Sequence, residues 1–323
     1  CSNLQSIKFP SKLKEIQEKS FYECSSLETI TFDANCELER ICSECFSNCS
    51  KLQTINIPSN IKRIENNAFY DCSNLSIIIN DNSKLEYIGE KAFSNSGIKN
   101  FYCPTNVAEI KSSTFYNCKN LNEIEFSRQS KLNSIGNDAF SNSSLNKITF
   151  PFQLSVINSN SFLNCSNLHE VNFPIDSKLK TIESGAFCQA GLNKILIPSN
   201  IISIGENAFQ NCHNLRIVKF TKEIKITTIK KHAFSKSGIE TIIIPSNVKI
   251  IGDKAIKKCR KFKKIEFEKN SQIKSIGKGL FEKSGIEEII IPSEVETINA
   301  KAFFDCNNFH KIEFSSGSKL AAM

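Results

Sequence analysis

The chain repeats itself almost from end to end, and that repetition limits its possible folds more than any single motif does. The stretch Cys118 to Ile135, CKNLNEIEFSRQSKLNSI, shows the unit: Cys, a Leu three residues on, Ile and Phe at the spacing L-x-x-I-x-F, a turn, and a second L-x-x-I leading to Gly136 and the pair Ala139-Phe140. Variants start at Cys1, Cys24, Cys49, Cys72, Ser96, Cys118, Ser143, Cys165, Ala190, Cys212, Ser237, Cys259, Ser284 and Cys306, fourteen units in 323 residues. From Ser96 onward they alternate between 22 and 25 residues, and counted two at a time from Cys49 the spacing is 47. A unit this small cannot bury its own apolar side chains. It must stack on its neighbours, which predicts a repeat solenoid.

Two kinds of unit alternate. One has a short turn, IPSNIKRI from Ile57, IPSNIISI from Ile197 and IPSNVKII from Ile244; the other has two more residues there, as in FSRQSKLNSI from Phe126 and FPIDSKLKTI from Phe173. In L-x-x-I-x-F, as at Leu27, Ile30 and Phe32, apolar residues separated by polar ones predict a short strand with one face inward. Pro-Ser-Asn or Ser-Lys predicts the turn, since Pro presets φ and Ser and Asn bond back to nearby backbone. The Gly that follows the second L-x-x-I, as at Gly89, Gly136, Gly205 and Gly252, provides either a positive φ or close backbone approach. The segment to Ala-Phe predicts one short helical turn. No linker interrupts residues 1–320, so they read as one continuous domain with 321–323 as a tail. Both ends fall inside a repeat, which suggests a fragment of a longer protein.

The unit resembles the BspA-like, Treponema-type leucine-rich repeat, which runs roughly C-x-x-L-x-x-I-x-F-P-x-x-L-x-x-I-G-x-x-A-F. The match extends from Cys1 to Phe314, and the Asn/Lys/Ile-rich flavour is similar to the surface-protein expansions of trichomonad and Entamoeba parasites. The resemblance implies a right-handed, β-rich superhelix of short strands and short helical turns. It also implies a non-enzymatic surface or secreted protein that adheres to host cells, extracellular matrix or glycans.

The remaining chemistry is sparse. Nine of the fourteen Cys occupy one repeat position, Cys1, Cys24, Cys49, Cys72, Cys118, Cys165, Cys212, Cys259 and Cys306. From Cys118 they recur every second unit, about 9 to 10 Å apart and beyond disulfide reach, so they read as a buried ladder of free thiols. Cys42 and Cys45 have C-x-x-C spacing, but they stand in the Gly and Ala columns and no second pair completes a zinc site. Of the four His, His169 and His310 share a column and lie six turns apart; His213 and His232 complete the set, and all four read as polar surface. No G-x-S-x-G, P-loop or dinucleotide fingerprint is present, and no cofactor is expected. No apolar run reaches 18 residues, so any membrane attachment would lie outside this sequence.

Function is therefore expected on the surface. Positions 3 and 5 of each first strand should point outward, and apolar residues there, Ile77, Ile79 and Tyr102 in two neighbouring layers together with Leu196, Ile217, Ile243 and Ile290, mark a candidate contact face. The net charge of +8 is uneven: Lys219 to Lys283 holds 18 Lys and Arg against 6 Asp and Glu. Its densest run is Lys254, Lys257, Lys258, Arg260, Lys261, Lys263 and Lys264. Such a face would attract a host protein or an anionic glycan; nucleic acid fits less well, because the basic segment has few outward aromatics. Homotypic self-assembly and an intracellular scaffold are the alternatives. Sequons stand at Asn48, Asn74, Asn142 and Asn164; Asn48 and Asn164 precede ladder Cys, where the amide side chain is expected to bond to backbone.

Overall fold

The computed structural model describes residues 1–323, whose backbone gathers into two compact units, Cys1–Leu154 and Ser155–Met323. Each is a parallel β-solenoid whose coils have three sides. The first side is a strand of three or four residues, the second a strand of two, and the third a run of turns.

In the first unit the strand Ser6–Phe9 pairs in parallel with Thr29–Phe32, Thr54–Asn56 with Ser76–Ile78, and Asn100–Cys103 with Glu123–Phe126. Its second side carries a four-stranded ribbon, Glu15–Ile16, Arg40–Ile41, Arg63–Ile64 and Tyr87–Ile88. In the second unit the first side is a six-stranded sheet from Lys194–Ile197 to Lys311–Phe314. Its second side runs Val156–Ile157, Thr181–Ile182, Ser203–Ile204, Thr228–Ile229 and Ile250–Ile251. The register is repeat on repeat. Ile182 stands beside Ile204, and Ile204 beside Ile229, so equal side chains stack in columns.

The third side departs from the expected helical turn. Two residues per coil, four apart, have positive φ: Asn67 and Asp71 at 54° and 59°, Asn207 and Asn211 at 56° and 59°. A left-handed residue every fourth position stops an α-helix from propagating. Instead, alternate N–H groups turn to the next coil. Asn67, Phe69 and Asp71 donate to the carbonyls of Glu90, Ala92 and Ser94 at 2.8–2.9 Å, while Ala68 and Tyr70 donate to carbonyls three residues back. The side is thus a third intercoil ladder, and its backbone is satisfied without a helix. The Asn that precedes Cys49, Cys118, Cys165 and Cys212 is explained by the same geometry: Asn48 (φ 62°) and Asn164 (φ 57°) occupy the left-handed region that Asn tolerates best after Gly.

Phe fills the interior. In the first unit Phe21, Phe46, Phe69, Phe93, Phe115 and Phe140 stack in one column with centroids 5.3–5.6 Å apart and interplanar angles of 16° or less. In the second unit Phe162, Phe187, Phe209 and Phe234 continue in the same way at 5.1–5.5 Å. Ile256 replaces the next Phe, and Phe262, fully buried in the adjoining Leu column, packs 6.1 Å from Phe281. The recurrent Gly column serves close approach, not positive φ: a Cβ at Gly205 would stand 2.5 Å from the Glu183 carbonyl carbon.

No disulfide joins the cysteines, and the thiols of Cys24, Cys49, Cys72, Cys118, Cys165, Cys212 and Cys259 are buried, with Cys306 half-buried. They are not merely small apolar groups. The Sγ of Cys118, Cys212 and Cys259 each donates at 3.0 Å to the carbonyl of Phe93, Phe187 and Phe234, the stacking Phe of the preceding coil. Burial pushes the Cys118 and Cys259 thiols up to about 11, which keeps them protonated as that hydrogen bond requires.

Candidate functional site

The outward strand face departs from expectation in one layer. Ile77 and Ile79 are 7% and 8% exposed and face the core, while Ile78 between them is 45% exposed. The unit from Cys72 to Ser96 has 24 residues where its kind otherwise has 25, and the missing residue lies between Leu75 and Ile77. Ile77 therefore pairs with Ile55, and a slip of one residue reverses every side chain. A patch persists there: Ile78 and half-buried Tyr102 line a shallow groove with Glu123 and Glu125. In the second unit Leu196, Ile217, Ile243 and Ile290 do point outward, each about half exposed.

The basic run Lys254–Lys264 does not form one patch. Lys254, Lys257 and Lys258 lie on the turn side, Arg260 and Lys261 at the corner, and Lys263 and Lys264 enter the first strand. Two of the seven are neutralised. Lys257 Nζ is 2.8 Å from Glu282, and Lys264 lies between Glu266 and Glu288 at 3.4 and 3.2 Å.

The structure brings together a different set of lysines, drawn from successive coils. Lys236, Lys258 and Lys283 occupy the left-handed position just before the ladder residue, Ser237, Cys259 and Ser284, with φ of 59°, 60° and 59°. Their N–H groups donate across the coils to the carbonyls of Lys257, Glu282 and Phe304, so the three side chains form a column, about 4.8 Å per step. Lys283 reaches Asp305 at 3.7 Å, whereas Lys236 and Lys258 make no ion pair. Four residues earlier in their coils stand His232 and Lys254, also at positive φ. The imidazole of His232 is held below its ordinary value first by burial and then by Lys231, Lys254 and Lys257, and its Nδ1 is buried without a hydrogen-bond partner. These groups converge only through the fold. The signal in the sequence was positional: lysines 22 and 25 residues apart, each one residue before a ladder position.

The first unit uses its charges differently. On its second side Arg40 and Arg63 share the carboxylate of Glu65 at 3.1 and 2.8 Å, and Glu65 is 8% exposed. Arg40 also approaches Glu15 at 3.6 Å, and the Arg63 guanidinium stacks 3.9 Å over Tyr87. Cys42 donates to Glu15 at 2.8 Å, and burial together with that carboxylate pushes its thiol up to about 12, so this half of the C-x-x-C remains an unreactive thiol. No three His, Cys, Asp or Glu side chains are placed to hold a metal ion, and no helix is long and apolar enough to cross a membrane.

The fold has solved counterparts. A leucine-rich repeat protein from Bacteroides ovatus matches 98% of this chain and 82% of its own at 23% identity, with a TM-score of 0.82. A leucine-rich cell surface protein from Faecalibacterium prausnitzii matches 99% and 92% at 22% identity and a TM-score of 0.53. The pneumococcal vaccine antigen PcpA matches 82% and 72% at 17% identity and a TM-score of 0.50. No curated protein matches the sequence. The model of the BspA type leucine-rich repeat region matches residues 1–122, 86–216 and 227–320, and with the thiol, Phe and Gly columns in place the chain belongs to the BspA-type leucine-rich repeat family.

Proposed function

We propose that the chain is a non-enzymatic binding module of a surface protein, and that its turn side in the second unit captures an anionic glycan. The observation that supports this reading most is the column Lys236, Lys258 and Lys283, uncompensated at its first two members. Each lysine stands at a backbone conformation that suits Asn better, beside like charges one coil away. Such an arrangement lowers stability slightly and brings no packing in return, so a ligand that neutralises it is its natural complement. Many weak contacts along one rigid column, rather than one deep pocket, would set the affinity. A surface location accords with the family and with the Faecalibacterium relative described as a cell surface protein.

The test is binding to immobilised heparin, a sulfated glycan, as a function of salt. The triple variant Lys236→Asn, Lys258→Asn, Lys283→Asn keeps the backbone preference of the column while removing its charge. It should bind at least tenfold more weakly at 0.15 M salt, where exposed charges are screened within roughly 8 Å. A control with Lys14, Lys51 and Lys99 changed to Asn has the same net charge and should bind like the parent. Equal losses in both variants would reduce the effect to net charge and sink the assignment to this column.

A further inference from the structure

The strand face of the second unit carries a pattern that complements itself. The registers build two outward columns across the six-stranded sheet. One reads Lys194, Ile217, Thr241, Lys264, Glu288, Lys311 and the other Leu196, Lys219, Ile243, Glu266, Ile290, Glu313. Leu196, Ile243 and Ile290 are 51–53% exposed and alternate with charged residues. This alternation follows from the double repeat, because the short-turn coils put an aliphatic residue at this position and the long-turn coils put a charge there.

We infer that this face docks on a second copy of the chain, related by a two-fold axis that runs along the strand Thr241–Ile244. Such an axis reverses the order of the coils and lays each column on itself. Ile243 then meets Ile243 of the second copy, Leu196 meets Ile290, Lys219 meets Glu266, and Lys194 meets Glu288. One pair remains mixed, Ile217 on Lys264. The Lys264 ammonium is already held by Glu266 and Glu288, which leaves its aliphatic stem to face Ile217.

The register is selective. Moving the axis by one coil puts Lys219 on Lys219 or Glu266 on Glu266. Moving it by half a coil sets the aliphatic residues on charges, either Ile243 on Glu266 or Ile243 on Lys219. Only the axis through Ile243 satisfies both columns, so charge complementarity specifies the partner and its orientation together. The sheet offers roughly 24 Å by 13 Å, about 300 Å² per copy. That is well below the roughly 800 Å² per partner of a stable complex, so the dimer is weak, with a dissociation constant on the order of 10⁻⁴ M, and it strengthens where copies are crowded on one surface.

Sedimentation velocity of the full chain at 10–500 μM in low salt tests this. The parent should shift reversibly from monomer to dimer, and Ile243→Glu should remain monomeric. Lys219→Glu and Glu266→Lys should each lose dimerisation by at least tenfold, because each sets two like charges opposite one another twice per dimer. An equimolar mixture of these two variants should associate again, since each of the two contacts in the mixed dimer then sets a carboxylate from the first variant against an ammonium from the second. Recovery in the mixture also shows that both variants are folded. A parent that is monomeric at 500 μM, a dimer that tolerates Ile243→Glu, or single variants that do not recover on mixing would each overturn the proposal.

Discussion

In the column before the thiol ladder, the first unit places Asn95, Asn117 and Asn142 where the second places Lys236, Lys258 and Lys283, all with φ between 57° and 60°. The backbone is the same and the chemistry is opposite. Asn117 Nδ2 donates to Asn95 Oδ1 at 2.7 Å, so this pair joins one coil to the next. Of the lysines, Lys283 alone reaches an acid in the next coil, Asp305 at 3.7 Å, and Lys236 and Lys258 have none. The second side of the first unit repeats the lesson, with Glu65 bridging Arg40 and Arg63. At this column the first unit holds coils together, and the second leaves Lys236 and Lys258 facing solvent, available to a ligand.

If the units differ in surface charge and not in core, apolar deletions should have equal effects in both. Phe69→Ala and Phe209→Ala each remove a fully buried ring from the Phe column and should each cost about 3–5 kcal/mol in urea unfolding. A difference above about 1 kcal/mol would show that the cores differ as well. Next in size, Glu65→Ala leaves two guanidinium groups without their shared, nearly buried acceptor. A loss of about 2 kcal/mol is expected after allowing for the partly exposed arginines, and an unchanged unfolding midpoint would show the bridge to be idle.

Smaller effects belong to the lysine column. Lys258→Asn removes the middle of three like charges and suits the local φ, so it should stabilise the chain by about 0.5 kcal/mol in low salt. Most of that gain should vanish at 1 M salt, where the screening length is about 3 Å. A gain that survives high salt would assign it to backbone preference. Smallest is the effect at His232. Because its folded value is depressed, the unfolded chain takes up the proton first as pH falls. Stability from this group is therefore complete above about pH 6.5 and is lost as the pH drops from there through the lower folded value. His232→Asn should flatten that acidic slope, and a parallel slope in the variant would place the titration elsewhere.

Much of the fold could be read from the chain because columns are written as periodicity. The Leu, Ile, Phe and Cys columns needed only a count of residues, and so did the stacking that makes a solenoid of them. Ile77 and Ile79 escaped because three consecutive Ile carry no alternation, and only a unit one residue short betrays the slip. The third side escaped for a different reason. Ala-Phe spacing suits a helical turn, and left-handed residues at Asn, Asp, Lys, Glu or His leave no uniform mark in composition. The charged columns were the least legible: whether Lys257 is neutralised or Lys258 is free depends on a residue about one coil away in the chain.

The buried thiols have a consequence of their own. The sulfhydryls of Cys72, Cys118, Cys212 and Cys259 each donate to a carbonyl of the coil before, so an alkylating reagent can reach them only after those two coils part. Exposed Cys1 should label at once, while Cys72, Cys118, Cys212 and Cys259 label at rates set by local opening. Mass spectrometry of the growing adducts would then time the separation of neighbouring coils along each unit. The protein carries its own series of clocks, one for every coil or two, against which the effect of any ligand on the solenoid's breathing can be read.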